Sequence, residues 1–137
     1  HGIREALAES TAVKVYVCNI MTQQGETNGY TASRHVQEIQ KVSGNILDYV
    51  LVNTAKMSEE MRETYRKESS TLVKPDLKKL EKLGVKVISG DFIKEGKSVR
   101  HDADKIARIV NDLAQQNWQQ QKKGGFNCLF RRMSKMN

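Results

Sequence analysis

Val13-Lys14-Val15-Tyr16-Val17-Cys18-Asn19-Ile20 runs directly into Met21-Thr22-Gln23-Gln24-Gly25-Glu26-Thr27-Asn28-Gly29-Tyr30, and then into a helical pattern that starts near Thr31. The first eight residues are β-branched and apolar and predict a mostly buried strand. The next ten form a polar loop with two glycines. Thr31 or Ser33 can cap a helix to about Val42, with Val36, Ile39 and Val42 facing inward, and Gly44 can stop it. Strand, polar loop and helix in this order are the repeating unit of an α/β sheet.

The same unit recurs downstream. Leu47 to Val52 is a second strand, ending in Asn53-Thr54. In the charged stretch Ser58 to Glu68, Met57, Met61 and Tyr65 recur every fourth residue, which predicts a surface helix with a narrow apolar stripe. Pro75-Asp76 opens another helix through Leu83, and Gly84 ends it. Val85 to Ser89 is a third strand, leading into Gly90-Asp91. Asp102 or Asp104 begins a last helix whose inner face is Ile106, Ile109, Val110 and Leu113. Ahead of the first strand, Ile3 to Glu9 reads as the last turns of a helix. Strands alternating with helices imply a parallel sheet with crossover connections, whose order the sequence does not give. Three strands make only half of a doubly wound domain, and parallel sheets need both faces covered. Missing strands, a partner subunit or an incomplete chain are therefore expected.

Composition narrows the function classes. The 137 residues fit one domain, and no apolar run is long enough to span a bilayer. The opening residues lack a secretory pattern. Cys18 and Cys128 lie far apart without C-x-x-C spacing, so neither a disulfide framework nor a zinc site is indicated, and a reducing compartment fits. The net charge of +7 suggests nucleic acid until it is located. Lys122, Lys123, Arg131, Arg132 and Lys135 supply most of it, with no acid among them, so the remainder is nearly balanced. No nucleic-acid partner is expected; a basic tail touching RNA, acidic lipid or a protein is the weaker alternative. Gln115 to Gln121 and Lys122-Lys123-Gly124-Gly125 read as a solvated helix end and a flexible tail.

Open parallel sheets bind ligands beyond the carboxyl ends of their strands. Those ends carry Asn19, Thr22, Gln23, Gly25, Glu26 and Thr27 after the first strand, Asn53 and Thr54 after the second, and Gly90 and Asp91 after the third. Neutral amides and hydroxyls suit a nucleotide or sugar, and the helix near Thr31 would aim free N–H groups at phosphate. The same residue types also serve simply to turn and cap. His35 and His101 fit packing roles. No Ser/His/Asp or Cys/His constellation, G-x-G-x-x-G or P-loop can be assembled, so no catalytic residue and no metal ligand is assigned.

The stretch Lys14 to Gln23, with Gly25-Glu26-Thr27, Gly29-Tyr30 and His35, resembles the signature of the YvcK/CofD-like family, the gluconeogenesis factors of UPF0052 type. The resemblance continues in order through Ile3-Arg4-Glu5-Ala6-Leu7, Val50-Leu51-Val52-Asn53, Leu83-Gly84-Val85 and Arg100-His101-Asp102, covering about residues 2 to 115. Gln24 and Asn28 stand where family loops usually carry Pro and Asp. The resemblance implies a Rossmann-like, open and mainly parallel α/β sheet flanked by helices, incomplete in this chain. Residues 1–115 would be the C-terminal part of a nucleotide-binding domain and 116–137 a Gln-rich, then basic tail. The phosphate-cradling strand and Gly-rich loop with which members begin are not in this chain.

One branch of the family implies a cytoplasmic bacterial regulator that binds a UDP-sugar and affects gluconeogenic carbon use, cell envelope and cell shape. The other implies a 2-phospho-L-lactate transferase using a guanosine diphosphate-activated substrate and magnesium. The M-T-Q-x-G-E-T form resembles the first branch. By position, Asn19, Thr22, Gln23, Gly25, Glu26 and Thr27 would line the pocket, with Asn53 beside them. Homo-oligomerisation is left open.

Overall fold

A computed structural model describes residues 2–96 and 98–133. The elements are α1 (Ile3–Glu9), β1 (Val15–Val17), α2 (Ala32–Ser43), β2 (Tyr49–Asn53), α3 (Glu59–Lys67), α4 (Leu77–Glu81), β3 (Lys86–Gly90), β4 (Ile93–Lys94), β5 (Arg100–His101) and α5 (Ala103–Met133). β1, β2 and β3 form one parallel sheet in that order, with Tyr16 beside Val50 and Val50 beside Val87. The chain is thus the expected open α/β unit. Among the described residues no helix is long and apolar enough to cross a membrane.

β2 is central, and Val50, Leu51, Val52 and Asn53 are all buried. Alternation sends Val50 and Val52 to one face, where they join Cys18, Ala32, Val36, Val73, Leu80 and Val85 in the main core. α2 and α4 cover this face. Leu51 points the other way, towards the side where α5 lies, whose Asn117 and Gln121 amides donate to the Thr11 carbonyl at 3.2 and 2.7 Å. Leu113 is the buried residue among the described side chains of α5; Ile106 and Ile109 are half-buried, and Val110 is exposed.

Several expected elements change length for local reasons. The first strand pairs over only three residues, although Cys18 still donates to the Leu51 carbonyl at 2.9 Å. α4 is five residues long, and the preceding Asp76 carboxylate, engaged elsewhere, caps no amide of its own helix. Gly44 ends α2 at φ 75°, as a C-terminal glycine should. Val42 does not face inward; it is 73% exposed. α5 does not stop at the Gln-rich stretch: its backbone stays helical to Met133. The side chains of Lys123, Cys128, Arg131 and Arg132, and all of Lys135, lie outside the described part, as does the tail beyond Met133.

Burial also sets the chemistry of the core thiol. Cys18 is 1% exposed, and burial pushes its pKa up to about 11, a rise the Tyr16 hydroxyl only partly opposes. Tyr16 is held above its ordinary range, also chiefly by burial. In a Cys128→Ser background, iodoacetamide at pH 8 is expected to label native Cys18 at least about 100-fold more slowly than the unfolded chain. Equal rates would show that the core around β1 is open.

Candidate functional site

At the carboxyl end of β1 the chain leaves the sheet through Asn19 and Ile20 and is fastened by a strap, residues 70–73. Val73 donates to the Ile20 carbonyl and Thr22 to the Thr71 carbonyl, both at 2.8 Å. Met21 and Leu72 form an antiparallel bridge between them. The Thr22 side chain belongs to this fastening. It is 4% exposed, its Oγ1 accepts the Thr71 N–H at 2.9 Å, and the Ser70 hydroxyl donates to its carbonyl.

Beyond the strap the loop closes on itself. Thr27 Oγ1 accepts the Gln23 N–H at 2.8 Å, and Asn28 Oδ1 accepts the Gly25 N–H at 2.9 Å. Gly25, at φ 82°, lets the turn close with a left-handed residue. Tyr30 then meets the His35 ring edge-on at 5.3 Å, with the Arg34 guanidinium 5.6 Å from the Tyr30 ring centre. His35 is 7% exposed; burial lowers its pKa, and its Nε2 has no partner among the described residues.

A cleft of about 520 Å³ opens beside this loop. Asn19, Thr22, Gln23 and Gln24 form one wall. The rest of the lining comes from Tyr65 and Glu68 at the end of α3, Ser70 of the strap, and Arg100 and His101 of the β4–β5 hairpin. Direct bonds hold that hairpin in place. The Tyr65 hydroxyl accepts the Val99 N–H at 2.9 Å, and Glu95 accepts the Ser58 N–H at 2.8 Å. His101 Nε2 lies 3.1 Å from the Cys18 carbonyl, which can only accept, so this nitrogen carries the proton. Arg100 is exposed, its Nε donating to Ser98 at 3.3 Å. The cleft therefore offers neutral amides, an aromatic ring, a guanidinium and the Glu68 carboxylate.

Not every residue expected on this rim reaches it. Asn19, Thr22 and Gln23 do, with Thr22 already spent on the strap. Gly25, Glu26 and Thr27 form the turn behind the wall. Asn53 is buried under the β3–β4 connection, its Oδ1 accepting from Phe92 at 3.0 Å and its Nδ2 donating to Ala55 at 3.1 Å. Asp91 turns to Lys105, 3.5 Å away.

The start of α2 does not present free N–H groups to a phosphate. Ala32 donates to Lys74, Ser33 to the Asp76 carboxylate at 2.9 Å, Arg34 to Thr31 Oγ1 and His35 to the Thr31 carbonyl. Asp76 also accepts the Ser33 hydroxyl at 2.6 Å. A carboxylate of the chain occupies the position that an anion was expected to fill.

The residues that sequence reasoning missed are Tyr65, Glu68, Ser70 and Arg100 in their role as cleft lining. Tyr65 stood out only as the last member of an apolar stripe. Two-residue strands leave no periodicity to detect, so the hairpin carrying Arg100 gives no strand signal in the sequence.

Comparison with known proteins places this arrangement. Residues 1–93 match the family profile described as 2-phospho-L-lactate transferase CofD. The chain is 46% identical over 111 residues to the gluconeogenesis factor of Halalkalibacterium halodurans, covering 80% of this chain and 34% of that protein. It is 36% identical over 113 residues to the gluconeogenesis factor of Bacillus subtilis, covering 81% and 36%. A crystal structure of a UPF0052 family member from Bacillus halodurans superposes with a TM-score of 0.77 at 45% identity, covering 80% of this chain and 36% of that one. The chain thus spans about a third of the length of these relatives. Sharing their sequence through the signature loop and their backbone through the sheet, it is a member of the CofD-like family, which includes the gluconeogenesis factors.

Proposed function

We propose that the cleft beside β1 binds a nucleotide-sugar of the UDP-sugar class, and that the protein acts as a regulator of the gluconeogenesis-factor type, influencing carbon use and cell envelope. The observation that carries this reading is the composition of the cleft's lining. Asn19 and Gln23 supply donors and acceptors suited to sugar hydroxyls or a base edge, Tyr65 a stacking surface, and Arg100 a planar cation suited to diphosphate. No described side chain in the cleft forms a base paired to a nucleophile, which suits binding without turnover. Such a regulator would work in the cytoplasm, where nucleotide-sugars are made.

The second reading, a transferase taking a guanosine diphosphate-activated substrate, is favoured by the CofD family match. It requires magnesium, and the described residues hold no group of three acid, histidine or cysteine side chains to bind it. Ligands for that ion would have to come from polypeptide that the longer relatives carry. Calorimetric titration of UDP-N-acetylglucosamine, against GDP with magnesium, into the longest soluble form of the protein separates the two. Selective binding of the sugar nucleotide at about micromolar affinity is expected. Preference for GDP with magnesium would replace the regulator by the transferase.

A further inference from the structure

α3 buries none of its residues, and among the described residues its ion pairs, Arg62 with Glu59 and Arg66 with Glu63, stay within the helix. Space opens on both of its flanks. Tyr65 and Glu68 line the cleft, while Glu59, Arg62, Glu63 and Arg66 line a second groove of about 360 Å³ that Met57 and Leu72 share. A helix with no buried face can shift without pulling interdigitated side chains out of a core.

What ties it down is the β4–β5 hairpin. Among the described residues, the hydrogen bonds that leave α3 and its cap for another element go to this hairpin, one from each end. At the start, Ser58 caps the helix with its hydroxyl, and its own N–H donates to Glu95 at 2.8 Å. In a capping box that N–H would go to an acid or amide three residues into the helix, where this chain has Met61. Glu95 fills the role from 37 positions away. In the last turn, the Tyr65 hydroxyl accepts the Val99 N–H at 2.9 Å.

Fixed points flank this pair. Met57 is buried just ahead of the cap, and Ser69 leaves the helix at φ 54°, a left-handed value that non-glycine residues rarely adopt. The base of the hairpin is pinned by buried Phe92, which donates to Asn53, and by His101 Nε2 at the Cys18 carbonyl.

We propose that α3 and the β4–β5 hairpin form one movable jaw, tied at Ser58–Glu95 and Tyr65–Val99 and turning on these fixed points, which closes over a ligand in the cleft. Closure rests on the nucleotide-sugar reading of the cleft; the tie between helix and hairpin does not. Tyr65 and Glu68 come from α3 and Arg100 from the hairpin, so closure brings all three to the ligand together. Glu95 lies outside the cleft lining and is a positioning residue: it passes a contact made at Arg100 to the far end of α3.

Amide hydrogen exchange on the longest soluble form of the protein tests both parts. Without ligand, Glu95→Ala should speed exchange at least about fivefold from Met61 through Tyr65, and Tyr65→Phe, which keeps the ring, should do the same at Val99 and Arg100. Saturating UDP-N-acetylglucosamine should slow wild-type exchange about tenfold at Arg62, whose side chain lines the other groove. In Glu95→Ala that slowing should disappear while Arg100 stays protected, and affinity should fall about three- to tenfold. Variant effects confined to the adjoining amide, or ligand protection of the hairpin with none in α3, overturn the jaw. UDP-N-acetylglucosamine that does not bind at all overturns the nucleotide-sugar reading and closure with it, and the ligand-free exchange then decides the tie alone.

Discussion

Replacing Asp76 by alanine is expected to lower the unfolding free energy by about 2–3 kcal/mol at neutral pH, a large part of the stability of a domain this size. Asp76 sits before α4 but caps α2 across the fold, accepting both the amide and the hydroxyl of Ser33. Ser33 is 4% exposed, so truncation strands a buried N–H that water cannot easily reach. Asn at this position keeps an acceptor and should recover part of the loss. Burial alone would raise the Asp76 pKa, but the Ser33 donors outweigh it and hold the carboxyl below its ordinary 3.8. A depressed folded pKa means that the stabilisation is complete above the unfolded value. It is lost as pH falls below about 3.8 and through the folded value. The stability gap between wild type and Asp76→Ala should therefore be wide at pH 7 and should narrow as pH falls below 3.8. His35, whose pKa burial lowers from 6.5, costs stability from that pH downward in both proteins, so it cancels in the difference. Urea unfolding at the two pH values measures this, and equal stabilities at pH 7 would sink the assignment.

Asp76 also marks the limit of what the sequence makes legible. Strand, loop and helix follow from local signals: β-branched Val15 and Val17, the Thr31 cap and Gly44 at positive φ all act within a few residues of themselves. The α/β class and the carboxyl-end location of the cleft follow in turn. Tertiary pairing is different in kind. Nothing near Ser33 announces a carboxylate 43 positions away, so the α2 terminus read as free when it is filled. Asn53 failed as a rim residue for the same reason: its amide is spent on Phe92 and Ala55. The rest of the cleft's lining needed three separate elements to converge. Tyr65, Ser70 and Arg100 belong to a helix end, a strap and a two-residue strand, and only Tyr65 carries even an indirect periodic signal.

That lining supplies the other large effect. Arg100→Ala is expected to weaken UDP-N-acetylglucosamine binding about 10- to 100-fold, the worth of one charge-assisted contact to diphosphate. Its melting temperature should stay within about a degree of wild type, because Arg100 is exposed and, among the described residues, its side chain hydrogen-bonds only to Ser98. Thr22→Ala should behave oppositely. Losing Thr22 Oγ1 leaves the Thr71 N–H without its acceptor and loosens the strap, so stability falls, and affinity follows because the wall moves. The pair separates a side chain that touches ligand from one that shapes the cleft, a distinction that affinity alone misses. Calorimetry and thermal unfolding on both variants supply the four numbers needed. Arg100→Ala binding as tightly as wild type would mean that the guanidinium faces solvent in the complex. The diphosphate would then have to be sought along the Asn19–Gln23 wall.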